Sequence, residues 1–299
     1  MYRVGVDVGG SSIVAGLVVQ GGQLVYKKSI TTVVRPLSDG IVDDIAGLIN
    51  DILNERNVSK NEVQYIGVGS PGTCNPCTGH VLYAKNLNFE NVALCEKLSS
   101  KLHLPVYLEN DANCAALGEA KMGAGADFSH SITVTFGTGI GGGIIVDGRI
   151  YHGPFFGAGE VGHHIIYVDG QPCTCGKNGC WEAYASATAL IRDSGQINAK
   201  AAFDAAIAGN DRAIKIIDRY YQYAAIGIAN LIDILQPQII ILGGGVAAQG
   251  ESFLQEVTKR TAQLVFAGDM RTTLALAKLG NDAGIIGAAF LGESLPTII

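Results

Sequence analysis

At 299 residues, with 48% hydrophobic and 16% charged residues, the chain has an ordinary soluble composition, is long enough for two medium-sized domains and carries no sign of disorder. A formal charge of −6 without a basic run speaks against nucleic acid or an anionic membrane surface as a partner. No apolar run approaches the ~20 residues of a membrane span, and the opening MYRVGVDVGG lacks the apolar core and cleavage region of a signal peptide, so a cytoplasmic protein with reduced thiols is expected.

The chain opens on the apolar strand YRVGVDV, turns through GGSS, and continues with the strand IVAGLVV. Gly21-Gly22 leads to a third strand, QLVYKKSI, which completes a meander. Between Ser38 and Asn57, Ile41, Ile45, Leu48, Ile49 and Ile52 fall at helical spacing. VQYIGVG reads as a buried strand, LCEKLSSKLH as a short helix, LPVYLEN as a further strand and DANCAALGEAKMG as an alanine-rich helix. SITVTF-GTGIGGG-IIVDGRI then repeats the opening unit of strand, glycine turn and strand, roughly 130 residues on. Beyond a cysteine cluster come three helical stretches, the longest from about Asp211 to Leu235. QIIIL runs as a strand into Gly243-Gly244-Gly245, and a helix, the strand TLALAKL and a last helix from Asp282 finish the chain.

Alternating strands and helices imply an α/β protein, and the two copies of one unit imply two related lobes with a cleft between them. The expected small N-terminal lobe spans residues 1–119, joined by the C-terminal helix 283–299, and the large C-terminal lobe spans 120–282.

The 40 glycines are about twice the average share and gather in a few short runs. In Asp7-Val8-Gly9-Gly10-Ser11, glycines let the backbone approach a bulky anion and aim its N–H groups at phosphate oxygens, while Asp7 is placed to hold magnesium through water. Gly137-Thr138-Gly139 opens a second run of the same character, with the Thr138 hydroxyl as an extra donor. Gly243-Gly244-Gly245 offers bare backbone on which adenine or ribose could lie. No Gly-Lys-Ser/Thr follows any of the runs, so none is a P-loop. The segment after GTGIGG reads as a strand where a dinucleotide fingerprint requires a helix. Any one run alone reads as a tight hairpin; three, two of them mirroring each other, read as phosphate binding. The pattern resembles the actin-like ATPase (ribonuclease H-like) fold of sugar kinases and Hsp70-type proteins, in which each lobe offers a phosphate hairpin.

Leu108-Glu109-Asn110-Asp111 lies at a strand-to-helix junction. Asn110 or Asp111 there serves as an ordinary helix N-cap. On this motif alone capping is the better reading; the functional reading has Asp111 accept a proton from a substrate hydroxyl as that oxygen attacks a γ-phosphate, with Asn110 orienting a neighbouring hydroxyl. The two readings coexist.

Cys173-x-Cys175-x4-Cys180 supplies three thiolates, and one imidazole from the neighbours His163 and His164 would complete a four-coordinate Cys3His zinc site. Side chains of successive strand residues point to opposite faces, so only one of the two could face the cysteines if they lie on a strand. An odd cysteine count and a reducing compartment weaken a disulfide reading, and four protein ligands leave no open position for metal catalysis. Glu160 lies on one side of the knuckle and Glu182 on the other. They read either as solvated acids or, with the histidine, as acceptors for the vicinal hydroxyls of a sugar.

DVGGSS, LENDANCAALGE, GTGIGGGI, GAGEVGHH and CTCGKNGCWE, in this order and through the terminal AGIIGAAF, resemble the ROK family (repressor, open reading frame, kinase) over essentially the whole chain. The resemblance implies a two-lobed ATP-dependent sugar kinase, or a sugar-responsive repressor with an added N-terminal helix-turn-helix, and a homodimer. It makes Asp111 the general base toward the sugar 6-hydroxyl and has Asn110, Glu160, His163 and Glu182 hold the ring hydroxyls. It selects His163 over His164 as the zinc ligand beside Cys173, Cys175 and Cys180. Asp7, Gly9, Gly10 and Ser11 would serve phosphate and magnesium, Thr138 and Gly139 the second phosphate hairpin, and Gly244 and Gly245 the nucleoside. Ser11-Ser12 departs from the Thr-Lys usual in the kinases, which removes a lysine charge at position 12. SPGTCNPCTGHVLYAKNLNFENV is most similar to bacterial glucokinases, with an Asn-Leu-x-aromatic element that adds Asn86 to the substrate-binding residues.

The expectation is therefore an enzyme that transfers the γ-phosphate of ATP to the 6-hydroxyl of a hexose, glucose foremost. N-acetylmannosamine and N-acetylglucosamine kinases are the alternative, because an N-acetyl pocket is made by shape. A repressor is disfavoured by acidic charge and by a first strand that begins at once. A sensor without turnover is disfavoured by the presence of Asp111. Cys74-Asn75-Pro76-Cys77, with His80 beyond, has thioredoxin-type spacing without the flanking redox fold and reads as two reduced surface thiols. His103, His130 and His152 carry no assignment.

Overall fold

The structure is a computed structural model. It describes residues 1–35 and 39–294, so Ser38 and the end of the expected helix 283–299 lie outside the described residues. In chain order come β1 (Tyr2–Val8), β2 (Ser12–Val19), β3 (Leu24–Thr31), α1 (Asp39–Glu55), β4 (Val63–Ser70), β5 (Thr73–Asn75), β6 (His80–Ala84), β7 (Phe89–Val92), α2 (Leu94–Leu102), β8 (Val106–Asn110) and α3 (Asp111–Met122). β9 (Ser131–Phe136), β10 (Ile140–Val146), β11 (Arg149–Ile150), α4 (Glu182–Ala185), α5 (Ala187–Ser194), α6 (Ala199–Ile207) and α7 (Asp211–Leu235) follow. β12 (Ile239–Gly243), α8 (Gly244–Ala247), α9 (Glu251–Ala262), β13 (Thr273–Leu276), α10 (Ala283–Ala288) and α11 (Leu291–Ser294) close the chain.

Two units partition these elements. The first comprises Met1–Ala126, Arg149–Ala158 and the described part of Asn281–Ile299; the second comprises Asp127–Gly148 and Gly159–Gly280. The boundary expected at 119/120 falls inside α3, whose helix continues to Met122, and residues 149–158 group with the first unit.

In the first unit the strands lie in the order β3-β2-β1-β4-β8. β1, β2 and β3 form the antiparallel meander read from the sequence, whereas β1, β4 and β8 run parallel. Val4, Val6, Val8, Ile66 and Val68 pack with Ile41, Ile45, Ile49 and Ile52 of α1 in one apolar core. Alternation sends Gly5 and Gly67 to the opposite face of the sheet, where α10 lies against bare backbone. A Cβ on Gly5 would sit 1.9 Å from the Ile285 carbonyl oxygen, and one on Gly67 1.8 Å from that of Ala288. The contact of α10 with α3 is equally close: a Cβ on Gly287 would lie 1.7 Å from the Cys114 carbonyl oxygen, and one on Gly118 2.2 Å from that of Ala283.

The same unit holds a small antiparallel sheet, β5-β6-β7, that sequence patterning does not reveal. Its strands have three to five residues, too few for an alternating pattern to register. This sheet corrects the reading of the CxxC pair. Cys74 lies on β5 and is buried in the core at 1% exposure, while Cys77 in the following turn is exposed.

The second unit repeats the plan. β9 and β10 form an antiparallel hairpin, β12 runs parallel to β9, and β13 parallel to β12. Its core centres on Phe136, Trp181 and Phe253, with Phe136 set edge-on to both other rings.

Gly287→Ala is expected to lower stability by on the order of 3 kcal/mol, because the added methyl meets backbone that cannot yield. Thermal unfolding checks this. Gly47→Ala on α1, where a Cβ meets nothing within 4 Å, should leave the midpoint unchanged or raise stability by up to about 1 kcal/mol.

Candidate active site

In the first unit, the carboxyl ends of three parallel strands collect the predicted acids. Asp7 on β1 is in register with Gly69 on β4, and Gly69 with Glu109 on β8. Gly69 leaves space where a Cβ would lie 3.1 Å from the Cys114 sulfur and 3.4 Å from the Asp111 Cα. β8 ends at Asn110, and α3 begins at Asp111. Asn110 is the N-cap: its Oδ1 accepts hydrogen bonds from the N–H groups of Ala112 (2.9 Å) and Asn113 (3.1 Å). Its Nδ2 donates to the Gly72 carbonyl at 3.0 Å. The oxygen is thus occupied, and the amide engages one of its two hydrogens. Asp111 Oδ1 accepts from the Ala112 N–H at 2.9 Å.

Asp7 is pushed up from 3.8 to about 6, first by burial and then by the negative charge of Asp111. Its neighbour Gly284 on α10 is needed for that fit, since a Cβ there would meet Asp7 Oδ2 at 2.9 Å. The β1–β2 turn is closed by the Gly9 N–H to the Ser12 carbonyl at 2.8 Å. Thr32, absent from the sequence reading, pins it from β3's end through its hydroxyl to the Gly9 carbonyl (2.7 Å) and its N–H to that of Ser11 (3.0 Å). Ser12 is the first residue of β2. Asn86 sits on the turn Lys85–Leu87 beside Gly10, where a Cβ would lie 3.8 Å from the Asn86 Cβ.

In the second unit the knuckle residues converge. His163 Nδ1 is 3.6 Å from the Cys173 sulfur, the sulfurs of Cys175 and Cys180 are 3.5 Å apart, and all four ligand atoms lie within 4.8 Å of one another. A tetrahedral zinc with bonds of ~2.0–2.3 Å sets its ligand atoms about 3.3–3.8 Å apart, so the cluster fits one such ion. The Lys177 backbone N–H holds the Cys175 thiol below its usual value, whereas burial pushes Cys180 up to about 12. His163 ends a short 3-10 turn, Val161–His163, and is not on a strand. His164 turns away: its Nδ1 lies 2.6 Å from the Val161 carbonyl oxygen and its ring packs against Trp181. Trp181 ties the knuckle to the core, donating its indole N–H to the Tyr223 carbonyl at 2.8 Å.

Glu182 bridges the knuckle and the second glycine turn. Its Oε2 accepts the Ile140 N–H at 2.9 Å, and its Oε1 accepts from the Thr174 hydroxyl at 3.3 Å and lies 3.8 Å from the Cys173 sulfur. Gly139 leaves the carboxylate its place, because a Cβ there would meet Glu182 Oε2 at 2.2 Å and displace it. Glu160 is exposed, with Oε2 3.9 Å from His163 Nε2. The turn at Thr138 is pinned by Thr188, whose hydroxyl donates to the Thr138 carbonyl at 2.7 Å. Gly244 (φ 86°) could take a Cβ only 2.5 Å from the Phe136 carbonyl, while Gly245 faces open space and presents bare backbone.

Sequence reasoning missed one further pair. Glu109, within the quoted LENDAN stretch, is buried, and its Oε2 lies 3.5 Å from Nδ1 of His152. Nothing local in the sequence links positions 43 residues apart.

The family model for the ROK family matches residues 3–294. A curated protein from Halalkalibacterium halodurans named glucokinase is 36% identical over 97% of this chain and 94% of its own length. A solved ROK hexokinase from Thermus thermophilus superposes with a TM-score of 0.87 at 31% identity, covering 97% of each chain. A ROK family glucokinase from Streptomyces griseus, solved in complex with glucose and AMPPNP, gives a TM-score of 0.81 at 32% identity over 97% of this chain and 99% of that one. Among the described residues no helix is long and apolar enough to cross a membrane.

Because the folded state raises the pKa of Asp7, its ionisation costs stability, a cost absent below pH 3.8 and complete above about 6. Asp7→Asn is therefore expected to raise the thermal midpoint of the ligand-free protein at pH 7.5. Melts at lower pH should show that advantage shrinking below pH 6 and vanishing near pH 4.

Proposed function

The chain belongs to the ROK family, and from that premise we propose that it is an ATP-dependent glucokinase that phosphorylates the sugar 6-hydroxyl with Asp111 as general base. Its similarity to a glucokinase at 36% identity, and to a glucokinase solved with glucose and AMPPNP, supports glucose and ATP as substrates. The observation that carries the chemistry is the pairing of two acids at one sheet edge: Asp111 at the mouth of α3 and Asp7 at the end of β1, close enough that Asp111 raises the pKa of Asp7.

In this reading the 6-hydroxyl oxygen attacks the γ-phosphorus while its proton passes to the Asp111 carboxylate and ADP leaves. Phosphoryl transfer is catalysed mainly by positioning and charge neutralisation, so a modest base suffices if it is well held. The Asn110 cap supplies that hold, and its remaining amide hydrogen would donate to a ring hydroxyl. Asn86, Glu160, His163 and Glu182 would bind the other hydroxyls. Magnesium, when bound, neutralises phosphate charge, and Asp7 is the residue that would hold it through water. Gly9, Gly10 and Ser11 in the first unit, and Thr138 and Gly139 in the second, would present N–H and hydroxyl donors to phosphate. Gly244 and Gly245 would face the nucleoside.

The Cys3His cluster would hold zinc as a structural ion, with Trp181 anchoring it to the core. Zinc would fix His163 by Nδ1 and leave Nε2, beside Glu160, for the sugar. Thr174 and the Ile140 N–H orient the Glu182 carboxylate.

Asp111→Asn should lower kcat by about 10²–10⁴-fold and leave sugar affinity largely intact, since the isosteric amide cannot take the proton. A coupled ADP-release assay and equilibrium sugar binding check the two halves. Unchanged turnover would remove Asp111 from the mechanism. The same assay across glucose, N-acetylmannosamine, N-acetylglucosamine, mannose and fructose tests the substrate, with glucose preferred. Metal analysis should find one zinc per chain in the wild type and a loss in Cys175→Ser, together with weaker sugar binding.

A further inference from the structure

Glu109 is the acid of the Leu108–Asn113 stretch that phosphoryl transfer leaves without a task. It is 1% exposed, and its Oε1 accepts from the Asn110 N–H at 2.8 Å and the Asn113 side-chain amide at 3.1 Å. It thus holds both the residue that caps α3 and a residue of the helix's first turn. Its other oxygen, Oε2, is buried and accepts no hydrogen bond. Nδ1 of His152, 3.5 Å away, is likewise buried without a hydrogen bond. Two buried polar atoms facing each other without a hydrogen bond are costly unless Nδ1 carries a proton directed at the carboxylate, which a charged imidazole always does.

His152 belongs to the same unit as Glu109, on the segment Arg149–Ala158. Its ring packs against Phe156 with centroids 5.5 Å apart. The other titratable groups around Glu109 are Asp111 and Cys114 on α3 and Cys74 on β5, with Asp7 on β1 beside Asp111 and Cys114. Burial holds both thiols well above their usual range, so they stay neutral and contribute no charge. The three carboxylates therefore accumulate negative charge at one sheet edge.

We propose that His152, as an imidazolium paired with Glu109, is a positioning residue for phosphoryl transfer: the ion pair fixes the Asn110 cap and the Asp111 carboxylate, and offsets the charge of the acidic cluster. This rests on the kinase reading given above. The pull of Glu109 raises the His152 pKa from its ordinary value near 6.5. The pair is therefore held below that raised value and dissolves as pH rises through it, leaving Glu109 buried without a counter-charge.

The test combines two readouts on the full chain. NMR titration of the histidine ring signals, with His152→Gln used for assignment, should give His152 a pKa above 6.5 in the wild type and a lower one in Glu109→Gln. The pH profile of kcat should show a one-proton alkaline limb in the wild type. In His152→Gln, kcat should fall about ten- to a hundredfold, with KM for ATP unchanged and the limb gone. The double variant Glu109→Gln/His152→Gln removes both charges, and should recover part of the kcat lost by His152→Gln alone. His152→Lys should restore part of it and move the limb to higher pH. A His152 pKa unmoved by Glu109→Gln overturns the ion pair whatever the activity. A kcat loss with the alkaline limb intact, or no recovery in the double variant, overturns the positioning role. Absence of turnover with every sugar would instead refute the kinase reading, and the positioning role with it, while the NMR titration still decides the pair. Melting curves at each pH keep a folding failure apart from these outcomes.

Discussion

The packing of α10 directly on the backbone of β1, β4 and α3 is the constraint on which the first unit depends. Gly5, Gly67, Gly118 and Gly287 each remove a side chain from a place where carbonyl oxygens lie within about van der Waals reach. Any added atom forces the layers apart, because backbone has no rotamer to change. The result is a helix pressed close enough that Gly284 abuts the carboxylate of Asp7 and Gly287 abuts the first turns of α3.

That closeness has an electrostatic consequence. Parallel strands bring their last residues to a common edge, and here the register aligns Asp7 with Gly69 and Gly69 with Glu109, with Asp111 just beyond. Burial and like charge raise Asp7 to about 6. Such a site is costly to the fold when empty and is relieved by cations. Substrate-bound magnesium and the His152 imidazolium are the cations proposed for the two ends of the cluster. A fold that spends stability on unfavourable charge needs rigid supports, and the Asn110 cap with its Glu109 prop supplies one.

In the second unit the corresponding support is the Cys3His knuckle. His163 and the three cysteines converge so that one metal ion would fix them, Trp181 locks the loop's end into an aromatic core, and Glu182 spans to the Ile140 N–H across a glycine that leaves room for it. Sequence alone places Glu182 next to a metal loop. That one of its oxygens is already engaged by the backbone of the second glycine turn is visible only in three dimensions.

By itself the sequence determined most of the strand and helix order, the meander, the two-fold use of a strand–glycine turn–strand unit, the Asn110–Asp111 junction and the three cysteines of the knuckle with two neighbouring candidate histidines. Each of these is written in residues a few positions apart, where hydrophobic period, capping preference and ligand spacing act. The tertiary structure alone decided the rest. It placed Cys74 inside on a strand too short to show a pattern, brought Thr32 and Thr188 to the glycine turns, and set Glu109 against His152. Those contacts join segments whose meeting depends on how whole layers pack, and a chain read locally carries no record of which distant side chains its own folding will bring together.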